Sequence, residues 1–386
     1  AFAPLILPAY LCCTNAHAQQ AVPSAPPAVS PADQANLHPA PLPPAASVPS
    51  PAPEPEALPP TDPAETVVIR ERAAPQRFLP AIDGVRLFSG KKTTVTELRD
   101  LPQVTNSNHR QALALTPGLL VSEVANGSWA SFSSRGLGEP HESWNLLLLK
   151  DGVPVGPDPY SYPAAYYTPP LESVERIEFV RGGAALLYGP LPGGALNYVT
   201  RRPRQDERLS LNARALYGSF NLFTGYAAAQ GTVGRVGYLV DLYHSRSDGP
   251  RAHNSDLWTL QGNAVVTIDA GRATRYLVRF DAYGGDFGEP GGLTLARYRE
   301  DRNQVSTPAD RFRARRYVAS LQVDRDLGAH AALELRAFGG FYDRESRRQA
   351  GTRFGELAPD ANVSVLQRQR FGLFGASARA RTAWGW

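Results

Sequence analysis

The densest cluster of chemistry-bearing residues is "RIEFVRGGAALLYGPLPGGALNYVTRRP", residues 176 to 203. An apolar strand there runs into Gly182, Gly183, Gly189, Gly193 and Gly194, with Arg176, Glu178 and Arg181 alongside. Glycine-rich turns after a strand can cradle phosphates, because backbone N–H groups converge where no Cβ intervenes. The spacing fits neither G-x-G-x-x-G nor G-x-x-x-x-G-K-[ST]. "GVRLFSGKKT" (84 to 93) fails as well, having a wrong gap and a second lysine where the magnesium-binding hydroxyl belongs. "EPHES" gathers Glu139, His141 and Glu142, which as a loop suits solvent or ligand contact better than catalysis. Seven histidines are dispersed without H-E-x-x-H spacing, and no G-x-S-x-G elbow occurs. No catalytic residue, metal site or cofactor is therefore expected, and the protein is read as a non-enzyme. What remains is arginine. "LARYREDRNQVSTPADRFRARR" carries Arg297, Arg299, Arg302 and Arg311, forks suited to carboxylate or phosphate.

Charge balance narrows the partners. Lys+Arg number 40 against 36 Asp+Glu, a net charge of +4, too little to argue for nucleic acid. The two cysteines, Cys12 and Cys13, adjoin each other in "AFAPLILPAYLCCTNAHAQQ", an apolar run ending in the small-x-small site Ala16-His17-Ala18. This reads as a signal peptide over 1–18, truncated at its start because no methionine or basic segment precedes it. Residues 19–64 form a Pro-rich extended linker without a core.

The elements that must position these residues change character along the chain. Over 91–203 a compact mixed α+β domain is expected. "TVTELRDLP" and "NHRQALALTPG" read as helical pieces, "WNLLLLKDGVPV" and "VERIEFVRG" as buried strands. Beyond Pro203 the period becomes two over roughly ten residues at a time. In "RYLVRFDAY", Tyr276, Val278, Phe280 and Ala282 alternate with Arg275, Arg279 and Asp281. In "LWTLQGNAVVTI", Trp258, Leu260, Ala264, Val266 and Ile268 oppose Thr259, Gln261, Asn263 and Thr267. Tight turns ("GTVGR", "DAGRA", "DLGAH") alternate with long loops, and aromatics (Tyr217, Trp258, Tyr276, Tyr317, Phe341) sit near strand ends. That is the pattern of a transmembrane antiparallel β-barrel; a soluble β-sandwich also alternates, with shorter strands.

An ordered series of motifs then carries a resemblance: Thr116-Pro117-Gly118, Arg135-Gly136, Asp151-Gly152, Arg176-Ile177-Glu178, Arg181-Gly182, Tyr188-Gly189, Gly194 and Asn197. It resembles the plug domain of TonB-dependent outer-membrane receptors. "DGVPVGPDPYSYPAAYY" and "VRGGAALLYGP" are most similar to the ferric-citrate type. The resemblance implies a plug followed by a barrel in the outer membrane, importing a scarce metal chelate, ferric citrate or another siderophore. Its partners would be TonB with its inner-membrane energising complex, the iron chelate, and outer-membrane lipid or lipopolysaccharide around a monomer. About eight strands follow the plug, whereas barrels of these transporters have 22, so about 8 of 22 strands are expected to be present. The Pro-rich linker stands where signalling members carry an extra domain, so a signalling role is not implied.

Residue by residue, the resemblance implies a TonB box at Glu65, Thr66, Val67, Val68 and Ile69, within a connector spanning 65–90. β-Branched residues there favour strand addition to a partner's edge; the alternative is a first plug strand. Arg135, Asp151, Arg176, Glu178 and Arg181 are assigned to plug–barrel docking. Gly136, Gly152, Gly182, Gly189, Gly194 and Asn197 are assigned to plug structure. Ligand contact is sought at His141, Tyr160, Tyr162, Tyr166 and Tyr167 and at the four arginines, whose bland alternative is lipopolysaccharide phosphate. Residues 204–386 would be the N-terminal portion of the barrel. The rival readings are a non-transporting surface binding protein and a non-functional receptor remnant.

Overall fold

The computed structural model describes residues 77–382 except 81, 89–91, 103, 124–128, 138–142, 144, 157–165, 183–187, 190, 272, 329 and 351–362. The signal peptide, the linker, the TonB box and three ligand candidates (His141, Tyr160, Tyr162) lie outside the described residues.

The plug opens with a hairpin of β1 (Ile82–Asp83) and β2 (Arg86–Leu87). β3 (Thr93–Glu97) and a 3₁₀ turn Leu98–Asp100 follow. Helix α1 (His109–Leu113) is capped by the Asn108 side chain accepting from the Gln111 N–H at 2.7 Å. A separate hairpin pairs β4 (Leu119–Glu123) with β5 (Ala130–Ser134). β6 (Leu147–Lys150), β7 (Val153–Pro154), β8 (Val174–Val180) and β9 (Ala195–Thr200) join β3 in one sheet of order β3-β8-β9-β6-β7. Only β6 and β9 pair in parallel.

"TVTEL" is a strand rather than the expected helical piece. Its β-branched Thr93, Thr94, Val95 and Thr96 pair with β8 at the sheet edge, where they pack better than in a helix. "NHRQALAL" does form a helix, though only of five residues. The unbroken apolar run in β6 arises because both sheet faces are covered. Leu146 and Leu148 pack with Phe132, Ile177, Phe179 and Tyr198, while Leu147 and Leu149 pack with Leu79, Phe88, Val95 and Tyr188.

The rest is one antiparallel meander of eight strands in sequence order. These are β10 (Ser210–Gly218), β11 (Leu222–Val233), β12 (Val236–Ser247), β13 (Leu257–Gly271), β14 (Thr274–Gly288), β15 (Arg311–Asp326), β16 (Ala331–Gln349) and β17 (Ser364–Thr382). The sheet is open, with β10 and β17 at its edges. A short helix α2 (Leu295–Glu300) lies in the long β14–β15 loop.

Burial decides between barrel and sandwich. The face toward the plug is buried and largely polar, carrying Asp241, Gln261, Asn263, Arg279, Arg316, Arg336 and Arg344. The face away from it is exposed and apolar, with Val240, Leu242, Val278, Phe280, Leu321 and Leu335 all more than a third exposed. A sandwich hides its apolar face; a membrane barrel presents it to lipid. Registered rows make the band continuous: Ala213, Ala227, Leu242, Gly262, Ala282, Tyr317, Phe341 and Gly372 are successive cross-strand neighbours. Among the described residues no helix is long and apolar enough to cross a membrane, so any crossing falls to strands.

Candidate functional site at the plug–wall interface

The apolar run of β6 ends in Lys150, whose side chain is buried against the wall. Its Nζ lies 2.5 Å from Asp281 Oδ1 on β14 and 2.5 Å from Asn263 Oδ1 on β13, and donates to the Tyr167 hydroxyl at 3.3 Å. Burial alone would lower this ammonium's pKa, but Asp281, Tyr167 and Asp151 outweigh it, so the group is held charged. Burial pushes the Tyr167 hydroxyl up, which keeps it a neutral acceptor here. The contact continues through the Asn263 amide, which donates to Asp241 Oδ1 at 2.6 Å; Ser173 of the plug donates to the same oxygen at 2.9 Å.

The next residues form a two-residue turn between β6 and β7 with φ of 51° at Asp151 and 77° at Gly152. Both are left-handed, as such a hairpin turn requires. The Asp151 carboxylate accepts from the Thr200 N–H at 3.0 Å and the Thr200 hydroxyl at 2.7 Å, and Arg279 of β14 reaches it at 2.5 Å. Arg336 of β16 lies directly over Gly152, so that a Cβ there would fall inside the guanidinium. Arg336 is itself held by Gln322 Oε1 at 2.6 Å. Two wall arginines thus grip one plug turn from both sides. Lower on the wall, Glu334 accepts from Arg379 at 2.9 Å and faces plug Arg86 at 3.6 Å. Between these contacts lies a cleft of ≈ 520 Å³ lined by charges of both signs, including Asp83, Arg86, Arg176, Arg279, Glu334 and Arg336. The seam here is polar and hollow.

Of the residues expected to dock, Asp151 alone makes a wall contact directly. Arg176 turns inward and pairs with the fully buried Glu178 at 2.8 Å. Glu178 accepts from Asn197 at 3.0 Å, and Asn197 accepts from the Gly152 N–H at 2.9 Å. These groups support the gripped turn from behind, because a buried carboxylate needs partners within reach. Arg181 donates to the Pro117 and Thr93 carbonyls, and its guanidinium lies over the Phe179 ring. Arg135 is exposed on a turn and makes no ion pair among the described residues. Both arginines stay on the plug, so their docking assignment is corrected. Gly194 has φ 108°, and a Cβ on it would meet the Val180 carbonyl oxygen. Gly136 and Gly182 also have left-handed φ, and Gly189 packs on Leu147.

The ligand candidates separate. Tyr167 is 3 % exposed, beneath Arg316 and beside Lys150, and so belongs to the interface, not to an open binding surface. Tyr166 joins an aromatic cluster, 4.6 Å from Trp129 and 3.7 Å from Phe312 between ring centroids, with Arg344 over its face at 4.9 Å. Arg311 is occupied by carboxylates, Asp256 at 2.8 Å and Asp286 at 2.7 Å. It is no open fork, which corrects the expected four-arginine cup. Arg297, Arg299 and Arg302 are exposed on or beside α2, Arg297 pairing with Glu300 at 3.1 Å. Sequence reasoning missed Lys150, Asn263, Arg279, Asp281 and Arg336. The signal available was a lone lysine closing an apolar strand, and charges at the inward positions of alternating strands.

Residues 89–195 match the family model of the TonB-dependent receptor plug domain. The chain is 26% identical over 201 residues to the vitamin B12 transporter BtuB of Vibrio cholerae, covering 49% of this chain and 31% of the relative. Among solved structures it is similar to the ferric citrate transporter FecA in its unliganded form. That match has 26% identity and a TM-score of 0.65, and covers 77% of this chain and 45% of FecA. The ferric yersiniabactin receptor FyuA of Yersinia pestis shares the fold at 16% identity and a TM-score of 0.58, covering 77% of this chain and 46% of FyuA.

Residues 89–195 are a plug domain of the TonB-dependent receptor class, and the wall strands have the fold of part of that class's outer-membrane β-barrel. The chain spans less than half the length of these relatives. Its place is the outer membrane.

Proposed function

We propose that this chain belongs to a receptor importing a metal chelate, ferric citrate or a related siderophore, with TonB supplying the pull. The observation that carries the reading is the similarity to the ferric citrate transporter, which extends over plug and wall together. The interface supports it physically. An apolar seam would resist displacement in proportion to its whole buried area, whereas a few directional polar contacts beside a hollow cleft release once those contacts break. Coupling would enter at Glu65–Ile69, whose extended, β-branched residues suit strand addition to TonB. Arg297, Arg299 and Arg302 on the long loop are offered as the first contacts for a carboxylate-rich chelate. The receptor is taken to act as a monomer.

The test is uptake of radiolabelled ferric citrate, and separately of vitamin B12, by cells relying on this receptor. Thr66→Pro removes a backbone donor from the pairing strand and is expected to abolish uptake while surface binding persists. Equal uptake by both forms would sink the TonB-box assignment. Uptake of vitamin B12 alone would overturn the iron-chelate reading in favour of the other similarity.

A further inference from the structure

The lipid-facing side of the wall carries a feature that transport does not explain. Above the Tyr317–Phe341 row, apolar side chains give way to charged ones on β14 to β17. One registered row reads Asp286, Arg313, Glu345, Arg368, and the row below reads Gly284, Arg315, Asp343, Arg370. Side chains alternate strictly along a strand, so all of these point to the same side as Tyr317 and Phe341, away from the plug. Within the belt Arg313 bridges Asp286 at 2.7 Å and Glu345 at 3.4 Å, and Arg368 meets Glu345 at 2.6 Å. Arg370 lies 3.9 Å from Asp343. Arg315 and Arg347 are exposed on the same face and have no carboxylate within ion-pair distance among the described residues. The belt therefore holds more arginine than carboxylate, and its acids already order its cations into a rigid array.

Its height matters. From Tyr317 down to Val323 the outward positions of β15 are Tyr317, Ala319, Leu321 and Val323, about 20 Å of strand without charge. With the neighbouring aromatics that is close to the roughly 25 Å apolar band of such barrels. The arginines begin one row above it, at headgroup level, on the side of the long β14–β15 and β16–β17 loops, which marks the external leaflet. Gly284 beside Arg315 leaves that guanidinium laterally open to a large headgroup.

We propose that this belt docks the phosphates of lipopolysaccharide, with Arg315 and Arg370 as the principal contacts and Arg313 held in place by Asp286 and Glu345. Guanidinium forks match phosphate oxygens bidentately and stay charged at any pH. The aromatic row beneath supports the acyl chains, and the fixed charges above select a phosphorylated lipid over a neutral one. The proposal concerns the lipid face alone and is independent of which chelate is carried.

The experiment uses the receptor purified in detergent and titrated with lipid A bearing its phosphates or after their enzymatic removal, with native mass spectrometry as readout. Arg315→Gln with Arg370→Gln is expected to weaken binding of the phosphorylated form roughly 30-fold, taking two surface cation–lipid contacts. Arg297→Gln with Arg299→Gln, on the loop and off the belt, is expected to leave it unchanged. An unaltered near-ultraviolet circular dichroism spectrum establishes that the belt variant is folded. Equal binding by wild type and the belt variant would overturn the proposal, as would equal binding of phosphorylated and dephosphorylated lipid.

Discussion

Replacing Lys150 with methionine keeps the apolar stem and deletes only the charge at the plug–wall contact. In the wild type the ammonium is buried within 2.5 Å of both Asp281 and Asn263. Removing one member of a buried pair leaves the other desolvated, at about 3–5 kcal/mol. Arg279 and Arg316 also face Asp281, so the lower end applies here. At an m-value of about 1–3 kcal/mol/M, a loss of ~3 kcal/mol moves the urea midpoint of plug release down by roughly 1–3 M. The assay is a urea titration of the detergent-purified receptor, followed by near-ultraviolet circular dichroism of the plug aromatics. Lys150→Met combined with Asp281→Asn should recover at least half of the loss, because no orphan charge remains. If Lys150→Met leaves the midpoint unchanged, or the double variant loses the sum of the singles, the pair does not hold the plug.

The remaining predictions rest on single positions. His109 is buried between the rings of Phe132 and Tyr198 with Nε2 3.1 Å from the Pro169 carbonyl, and burial pushes its pKa down to about 4. Its stabilisation is complete above the unfolded value near 6.5 and is lost as pH falls toward 4, about 3 kcal/mol in all. Plug stability measured at pH 7, 5.5 and 4.5 should decline accordingly, and His109→Gln should flatten that decline. Gly152→Ala must both hold a left-handed φ and displace Arg336, whereas Gly136→Ala has the same kind of φ and nothing within 4 Å of a new Cβ. Thermal melts should show Gly136→Ala costing about 1–2 kcal/mol and Gly152→Ala at least ~2 kcal/mol more.

The architecture was legible in the sequence because both of its signals are local. Apolar residues recurring at every second position describe a strand with one lipid-facing side, whatever lies behind it. Eight such strands were expected and eight are present. The ordered plug motifs were likewise short-range, since Asp151-Gly152 and Gly194 stand where the backbone itself needs unusual φ. "TVTEL" was misjudged because isolated propensity is weak and an edge position beside β8 outweighs it.

The interface was not legible, because it consists of pairs more than a hundred positions apart. Nothing local distinguishes Arg279, which reaches Asp151, from Arg275, which sits on the same strand. Nor can spacing reveal that Arg176 and Glu178 satisfy each other inside the plug, while Lys150, at the end of an apolar run, crosses to the wall. By itself the sequence determined the period of its strands, the positions of its tight turns and the side that meets lipid. Only the tertiary structure decided which buried charge meets which, because desolvated charges must find partners in space and the chain brings those partners from distant strands.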